Sequence, residues 1–413
     1  MIVFANNYRG FRRIEIDLNG PVFVVGDNSS GKTSLLHLIN LVKSTLLSTR
    51  PQLDVDHMVD ADDFFSPHFS DADVTIGFIF KTEDDFYTKV VTLKRQADGT
   101  SVVARCTVAN GEMMLTVKRT ATRIYVRAKG APLEQAAEHI LQCHFRNTGF
   151  RYVDAWDRVR DINLPPALYM LVRLYDKNIA DDDRFGRMIF PTINSMVHFL
   201  GPVRGNPERF YQTVATYLFG GGHFPSMLND ISEDVTSRAI IDDFGKNSGL
   251  FDKINIEPIS KRIKSAPLVV TVERRGKTFF LNQVGIGVSQ VAPIIVESTY
   301  NKIGNLPATF IIQQPELHLH PQAQAALGEF FYEMSGSSKQ IYVLETHSDY
   351  LIDRYRYMAR ENGSSLDAKI LFCSTSDEGN EVREIYIGSD GQIDPIPDGY
   401  RAFFLEELSR TIF

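Results

Sequence analysis

Residues 21–42 read PVFVVGDNSSGKTSLLHLINLV and decide the fold. Pro21–Val25 is a short apolar run rich in β-branched residues, which predicts a buried strand. Gly26-Asp27-Asn28-Ser29-Ser30-Gly31-Lys32-Thr33 fits the pattern G-x-x-x-x-G-K-[ST]. From Lys32 a helical pattern begins, with Leu35, Leu36, Leu38, Ile39 and Val42 on one apolar face. Strand, glycine-bounded loop and helix follow in the order that phosphate chemistry requires. The loop must curl so that successive backbone N–H groups converge on one phosphate, and the glycines permit the curl. The helix N-terminus adds partial positive charge. In this pattern Lys32 reaches the β- and γ-phosphates and the Thr33 hydroxyl holds magnesium. Nucleoside triphosphate binding is expected.

Outward from that loop, Ile2–Phe4 and Ile14–Leu18 alternate like a hairpin. Residues 49–70 are acidic and broken by Pro51 and Pro67, which predicts a loop. Residues 73–127 alternate repeatedly, with Asn110-Gly111 among the turn signals, and predict an antiparallel meander. Residues 132–248 read as mostly helical and irregular. Residues 266–282 read as a hairpin turning at Arg275-Gly276. Ala308–Ile312, Gln340–Leu344 and Ala368–Phe372 read as strands, Pro321–Glu333 and Ser348–Arg360 as helices, and a closing helix is expected near Phe403–Leu408. The expected domains are 1–130, a nucleotide-binding lobe with loop and meander; 131–250, a helical lobe; and 251–413, a second lobe of the same head.

The chain has 413 residues, 43% of them hydrophobic and 23% charged, enough to bury a core without disulfide or metal staples. No run of about 18 apolar residues occurs, so no membrane span is expected. The opening MIVFANNYRGFRR lacks the order of a signal peptide. Cys106, Cys143 and Cys373 are odd in number and scattered, which points to small buried hydrophobes in a reducing cytoplasm. The net charge of −7 confines any DNA contact to a local basic patch.

The C-terminal half carries further motifs. Residues 311–321 read IIQQPELHLHP, and residues 341–354 read IYVLETHSDYLIDR. Val284–Gln290 (VGIGVSQ) precedes a helix, and Asn7–Phe11 (NYRGF) opens the first hairpin. Gly201-Pro202-Val203-Arg204, with Pro207, Arg209 and Tyr211, forms another short motif. Together with the phosphate loop these resemble the ABC-type ATPase heads of the SMC, RecF and OLD group, over roughly 1–45 and 198–413. The resemblance implies an α/β P-loop NTPase head, with a mixed central sheet, an antiparallel meander and a mainly helical lobe. It implies ATP and Mg²⁺ as cofactors. Asn28, Ser29, Ser30, Gly31, Lys32, Thr33 and Ser34 would bind ATP. Gly287, Ser289 and Gln290 would contact the γ-phosphate held by a second copy, so a homodimer or higher oligomer is implied. His347 would sense the γ-phosphate.

The sequence departs from the family where the chemistry sits. Gln313 and Gln314 stand where the family has two acids, the first helping to hold magnesium and the second polarising the attacking water. Thr33 and Gln313 are the metal candidates; Gln314, Glu316, Glu345 and His347 are the catalytic ones. Glutamine orients water but cannot take its proton. Three explanations stand: natural slow hydrolysis, substitution by Glu316 or Glu345, or an engineered trap. His318 and His320, two apart beside Leu317 and Leu319, read as a turn packed on the sheet rather than as a metal pair. Trp156 and Tyr169 read as core.

The chain shows no heptad run for a long coiled-coil arm, and too few residues follow Cys373 for a nuclease domain. It reads as an ATP-gated sensor or scaffold for a separately encoded effector such as a nuclease. Stand-alone bacterial heads of this kind resemble the ATPase subunits of anti-phage systems such as PARIS, Septu and retron-associated pairs. The alternative is a RecF-like DNA clamp, with Arg204 and Arg209, Lys261-Arg262 and Lys264, or Arg274-Arg275 and Lys277 as its basic surface. A metabolic P-loop kinase would leave 284–290 and 341–354 unexplained.

Overall fold

The computed structural model describes residues 1–43, 65, 72–81, 85–95, 101–120, 123–130, 136–153, 196–202, 204, 206–212, 222–260, 262–263, 266–305, 307–336, 339–397 and 399–400. The closing helix, Trp156, Tyr169, Lys261 and Lys264 lie outside the described residues. Strands β1 (Ile2–Tyr8) and β2 (Phe11–Asp17) form the first hairpin, and β3 (Val22–Gly26) leads through the loop into α1 (Lys32–Leu41). The meander comprises β4 (Val74–Lys81), β5 (Phe86–Arg95), β6 (Ser101–Ala109), β7 (Met113–Arg119) and β8 (Ile124–Gly130). Then come α2 (Ala137–Phe145), β9 (Arg151–Val153), β10 (Met196–Leu200), α3 (Phe224–Asp230) and α4 (Val235–Ser248). Strands β11 (Lys253–Pro258), β12 (Leu268–Arg274) and β13 (Lys277–Phe280) precede α5 (Ile286–Ile303). The rest alternates: β14 (Ala308–Gln313), α6 (Pro321–Gly336), β15 (Gln340–Glu345), α7 (Asp349–Asn362), β16 (Lys369–Ser376), β17 (Gly379–Ile387) and β18 (Ile393–Asp394).

The chain divides into two compact units. The first holds Met1–Leu18, Asn28–Asn194 and Ser374–Val382; the second holds Asn19–Asp27, Ser195–Cys373 and Arg383–Phe413. The boundary cuts the phosphate loop between Asp27 and Asn28.

Among the described residues, the first unit is built on one sheet in the order β2-β1-β4-β5-β6-β7-β8-β9, antiparallel throughout. One core cluster under α2 contains Phe4, Ile79, Phe86, Val90, Met114, Ile140 and Leu141. Alternation in the sequence therefore produced the meander it predicts.

In the second unit the main sheet runs β10-β14-β15-β3-β16-β17-β18, and its first five strands are parallel. A smaller sheet, β11-β12-β13, turns at Arg275-Gly276, where both residues have positive φ. Helices α3 to α7 share one core with the main sheet, including Phe244, Val291, Ile295, Phe310, Phe331, Leu344 and Tyr355. α4 begins at Asp234, whose carboxylate accepts from the Ser237 N–H, and α7 begins at Ser348, whose hydroxyl accepts from Leu351.

The stretch expected to be helical contains β9 and β10 as well as α2, α3 and α4. β10 reads MVHFL, too short for its periodicity to separate strand from helix. Its state is decided by a parallel partner, β14, more than a hundred residues further on. Among the described residues, no helix is long and apolar enough to cross a membrane.

Candidate functional site

The parallel strands bring their carboxyl ends into register. Gln313 ends β14 opposite Glu345, which ends β15, and Glu345 lies opposite Val24 of β3. The Thr346 N–H donates to the Val24 carbonyl at 3.1 Å, and the Gln314 N–H to the Glu345 carbonyl at 2.7 Å. The phosphate loop leaves this same edge at Gly26. In open α/β sheets that edge is where ligands bind.

Gly26 has φ 138°, and a Cβ there would lie 2.0 Å from the Cys373 carbonyl oxygen on β16, so only glycine fits. Within the first unit, Asn28, Ser29 and Thr33 are exposed, Ser30 and Lys32 are buried, and Gly31 and Ser34 are half-buried. Ser29 and Gly31 both have positive φ, which curls the loop. A Cβ on Gly31 would meet Asn380 Nδ2 and the Phe11 ring, each at 2.6 Å. Ser34 Oγ accepts from Arg9 at 3.2 Å. Asn380, whose N–H donates to the Gly10 carbonyl, is a neighbour of this loop that sequence reading missed.

In the second unit, the Gln313 side-chain amide donates to Glu345 Oε2 at 3.0 Å, and both residues are buried. Gln314 is half-buried with φ 43°, a left-handed conformation before Pro315 that turns the chain off the strand. Glu316 Oε1 accepts from the His347 N–H at 2.7 Å. Burial raises the Glu316 carboxyl above its ordinary range, and that N–H opposes the shift. His347 itself is exposed. In the turn between β14 and α6, Leu319 is buried while His318 and His320 face solvent. The arrangement can orient a water with an amide, place a carboxylate beside it, and offer an imidazole to an anion.

The first turns of α5 hold the three residues expected to meet a second copy's γ-phosphate. Gly287, Ser289 and Gln290 are all buried, and the Ser289 hydroxyl donates to the Ile286 carbonyl at 2.8 Å. Gln290 is committed to Arg204: its Oε1 accepts from the Arg204 N–H and its Nε2 donates to the Arg204 carbonyl, both at 2.9 Å. What this turn exposes is Gln283, Gly285 and Ile286, at a helix start with no side-chain cap.

Arg204 corrects a sequence expectation. It is fully buried and is therefore no part of a basic surface. Its guanidinium donates to the Gln290 carbonyl at 3.2 Å and the Gln313 carbonyl at 2.9 Å. Burial lowers its pKa to about 10, with Glu316 and Glu297 acting against the shift, so it stays charged at neutral pH. Arg204 thus ties the start of α5 to the end of β14.

Residues 223–352 match the family model described as AAA ATPase domain. The structure aligns with the crystal structure of an SMC head bound to the C-winged helix domain of ScpA, over 94% of this chain and 97% of that one, with a TM-score of 0.50 and 11% identity. The chain has the fold of an SMC-type ATPase head. The SMC head domain from Thermotoga maritima aligns over 93% of this head and 97% of its own chain, at a TM-score of 0.41 and 11% identity. A curated relative, the OLD nuclease of Thermus scotoductus, is 28% identical over 78 residues. That match spans 19% of this head's chain and 15% of the nuclease.

Proposed function

We propose that this head binds ATP with magnesium, closes on a second copy over the bound nucleotide, and hydrolyses it slowly. Closed, ATP-loaded heads would then be the signal that a separately encoded effector reads, in a role like that of the stand-alone heads of anti-phage systems. The observation that carries this is the pair Gln313-Gln314 at the end of β14, with Glu345 hydrogen-bonded to the first of them.

Phosphoryl transfer is mostly positioning and electrostatics, so amides at these places slow the reaction without removing it. Gln314 would orient the attacking water, and Glu345 would accept its proton. Glu316 fixes the backbone of His347, leaving the imidazole to meet the γ-phosphate. Magnesium takes hard oxygen donors and keeps several waters. In this reading the Thr33 hydroxyl and the Gln313 amide oxygen would be its protein donors, both uncharged. The ion supplies charge neutralisation at the phosphates when bound.

The test is nucleotide retention. After incubation with ATP·Mg²⁺ and rapid gel filtration, the protein fraction should carry ATP rather than ADP for many minutes. Recovery of ADP alone from the first time point removes the slow-clamp reading.

A further inference from the structure

Away from the nucleotide edge, three buried side chains of the second unit converge. His198 sits mid-strand in β10, His223 caps the start of α3, and Glu297 lies in the middle of α5. His198 Nδ1 is 3.0 Å from Glu297 Oε2, and His223 Nε2 is 3.3 Å from Glu297 Oε1. His198 and Glu297 are 0% exposed and His223 is 3% exposed. We infer that His198, His223 and Glu297 form a binding site for one zinc-class divalent cation.

Four observations support it. All three donors lie within 4.8 Å of one another, so a single ion can reach them together. Tetrahedral zinc with bonds of about 2.0–2.1 Å sets neighbouring donors about 3.3 Å apart, which matches both separations. Glu297 Oε1, buried and 3.3 Å from His223 Nε2, accepts no hydrogen bond among the described residues, which leaves its lone pairs open to a cation. The His198 ring is held by stacking on Phe310, 4.5 Å between centroids and 13° between planes, so Nδ1 is aimed rather than free to turn. Two imidazoles and one carboxylate suit zinc, cobalt(II) or iron(II) rather than calcium or magnesium. Burial keeps such an ion from any substrate, so its role is structural. It would pin β10 and α3 to α5, the helix whose first turn faces the proposed second copy.

The test uses the full chain, purified without a metal-chelating tag, stripped with EDTA, and kept free of nucleotide and magnesium. Co²⁺ is titrated in. The expected result is one equivalent bound with the visible bands of tetrahedral cobalt, displacement by Zn²⁺, and a melting temperature about 5 °C higher with either ion. His223→Gln and Glu297→Gln should each abolish the bands, whereas the double variant His318→Gln, His320→Gln should retain them. X-ray absorption at the zinc edge of the unmutated chain reads two imidazole nitrogens plus oxygen directly, and decides the matter if a variant fails to fold. Absence of both bands and melting shift in the unmutated chain, bands surviving in His223→Gln or Glu297→Gln, or an edge spectrum without imidazole would overturn the site.

Discussion

The side-chain amide of Gln313 donates to the carboxylate of Glu345 across 3.0 Å, between the ends of two adjacent parallel strands. The amide at 313 is therefore matched to its neighbour: it holds the buried carboxylate of Glu345 in place, where an acid would repel it. If Gln314 positions water and Glu345 takes the proton, turnover is slow by construction. Gln314→Glu should then raise the single-turnover hydrolysis rate about 10²–10⁴-fold, the usual worth of a positioned base. Glu345→Ala should abolish the parent's residual turnover. A parent already as fast as the Gln314→Glu variant contradicts this.

Gln313→Glu places two carboxylates about 3 Å apart, which raises the pKa of one in the folded state. The folded variant then binds more protons than the unfolded chain above about pH 4.3, so its stability falls as pH rises through that window. Its loss in urea midpoint relative to the parent should grow from pH 5 to pH 8. An equal loss at both would show that Glu345 does not face residue 313.

Arg204→Met should destabilise the fold by about 3 kcal/mol, because buried backbone carbonyls and two acidic neighbours lose their cationic partner. Arg204→Lys should recover only part of this, since one ammonium cannot replace the two-armed reach to Gln290 and Gln313. Chemical denaturation of the three proteins measures it, and a loss under about 0.5 kcal/mol, the size of an ordinary surface substitution, would contradict it.

His144 on α2 is buried between Thr92 and Thr107, with Nε2 2.8 Å and Nδ1 2.6 Å from their hydroxyls. Burial, with Arg105 and Arg127 nearby, depresses its pKa to about 3. The unfolded chain takes up this proton near pH 6.5, so between about 6.5 and 3 the unfolded state binds more protons and stability falls as pH drops. His144→Gln should flatten that part of the stability curve, measured as urea midpoints between pH 4 and 7. An unchanged slope would show that another group governs acid unfolding.

Much of the site was legible because its parts are local. β3, the loop and α1 announce themselves within about twenty residues, and β14, β15, α6 and α7 carry unbroken periodicity. Arg204 was not legible, since an arginine reads as exposed until the fold buries it. The tie between Gln290 and Arg204 was not legible either, since the two are 86 positions apart. His198, His223 and Glu297 are separated by up to 99 positions, and only the meeting of β10 with α5 brings them together.

The measurement that reaches the central claim most directly is the mass of the chain in solution, with and without ATP·Mg²⁺, for the parent and for Ile286→Asp. Ile286 is 46% exposed at the first turn of α5, so aspartate should leave the fold intact while setting negative charge where a second copy's phosphates would arrive. The account predicts that the parent doubles in mass when ATP·Mg²⁺ is added and that the variant binds ATP without doing so. A parent that stays at the mass of one chain at saturating ATP·Mg²⁺, or a variant that doubles as readily as the parent, would contradict it.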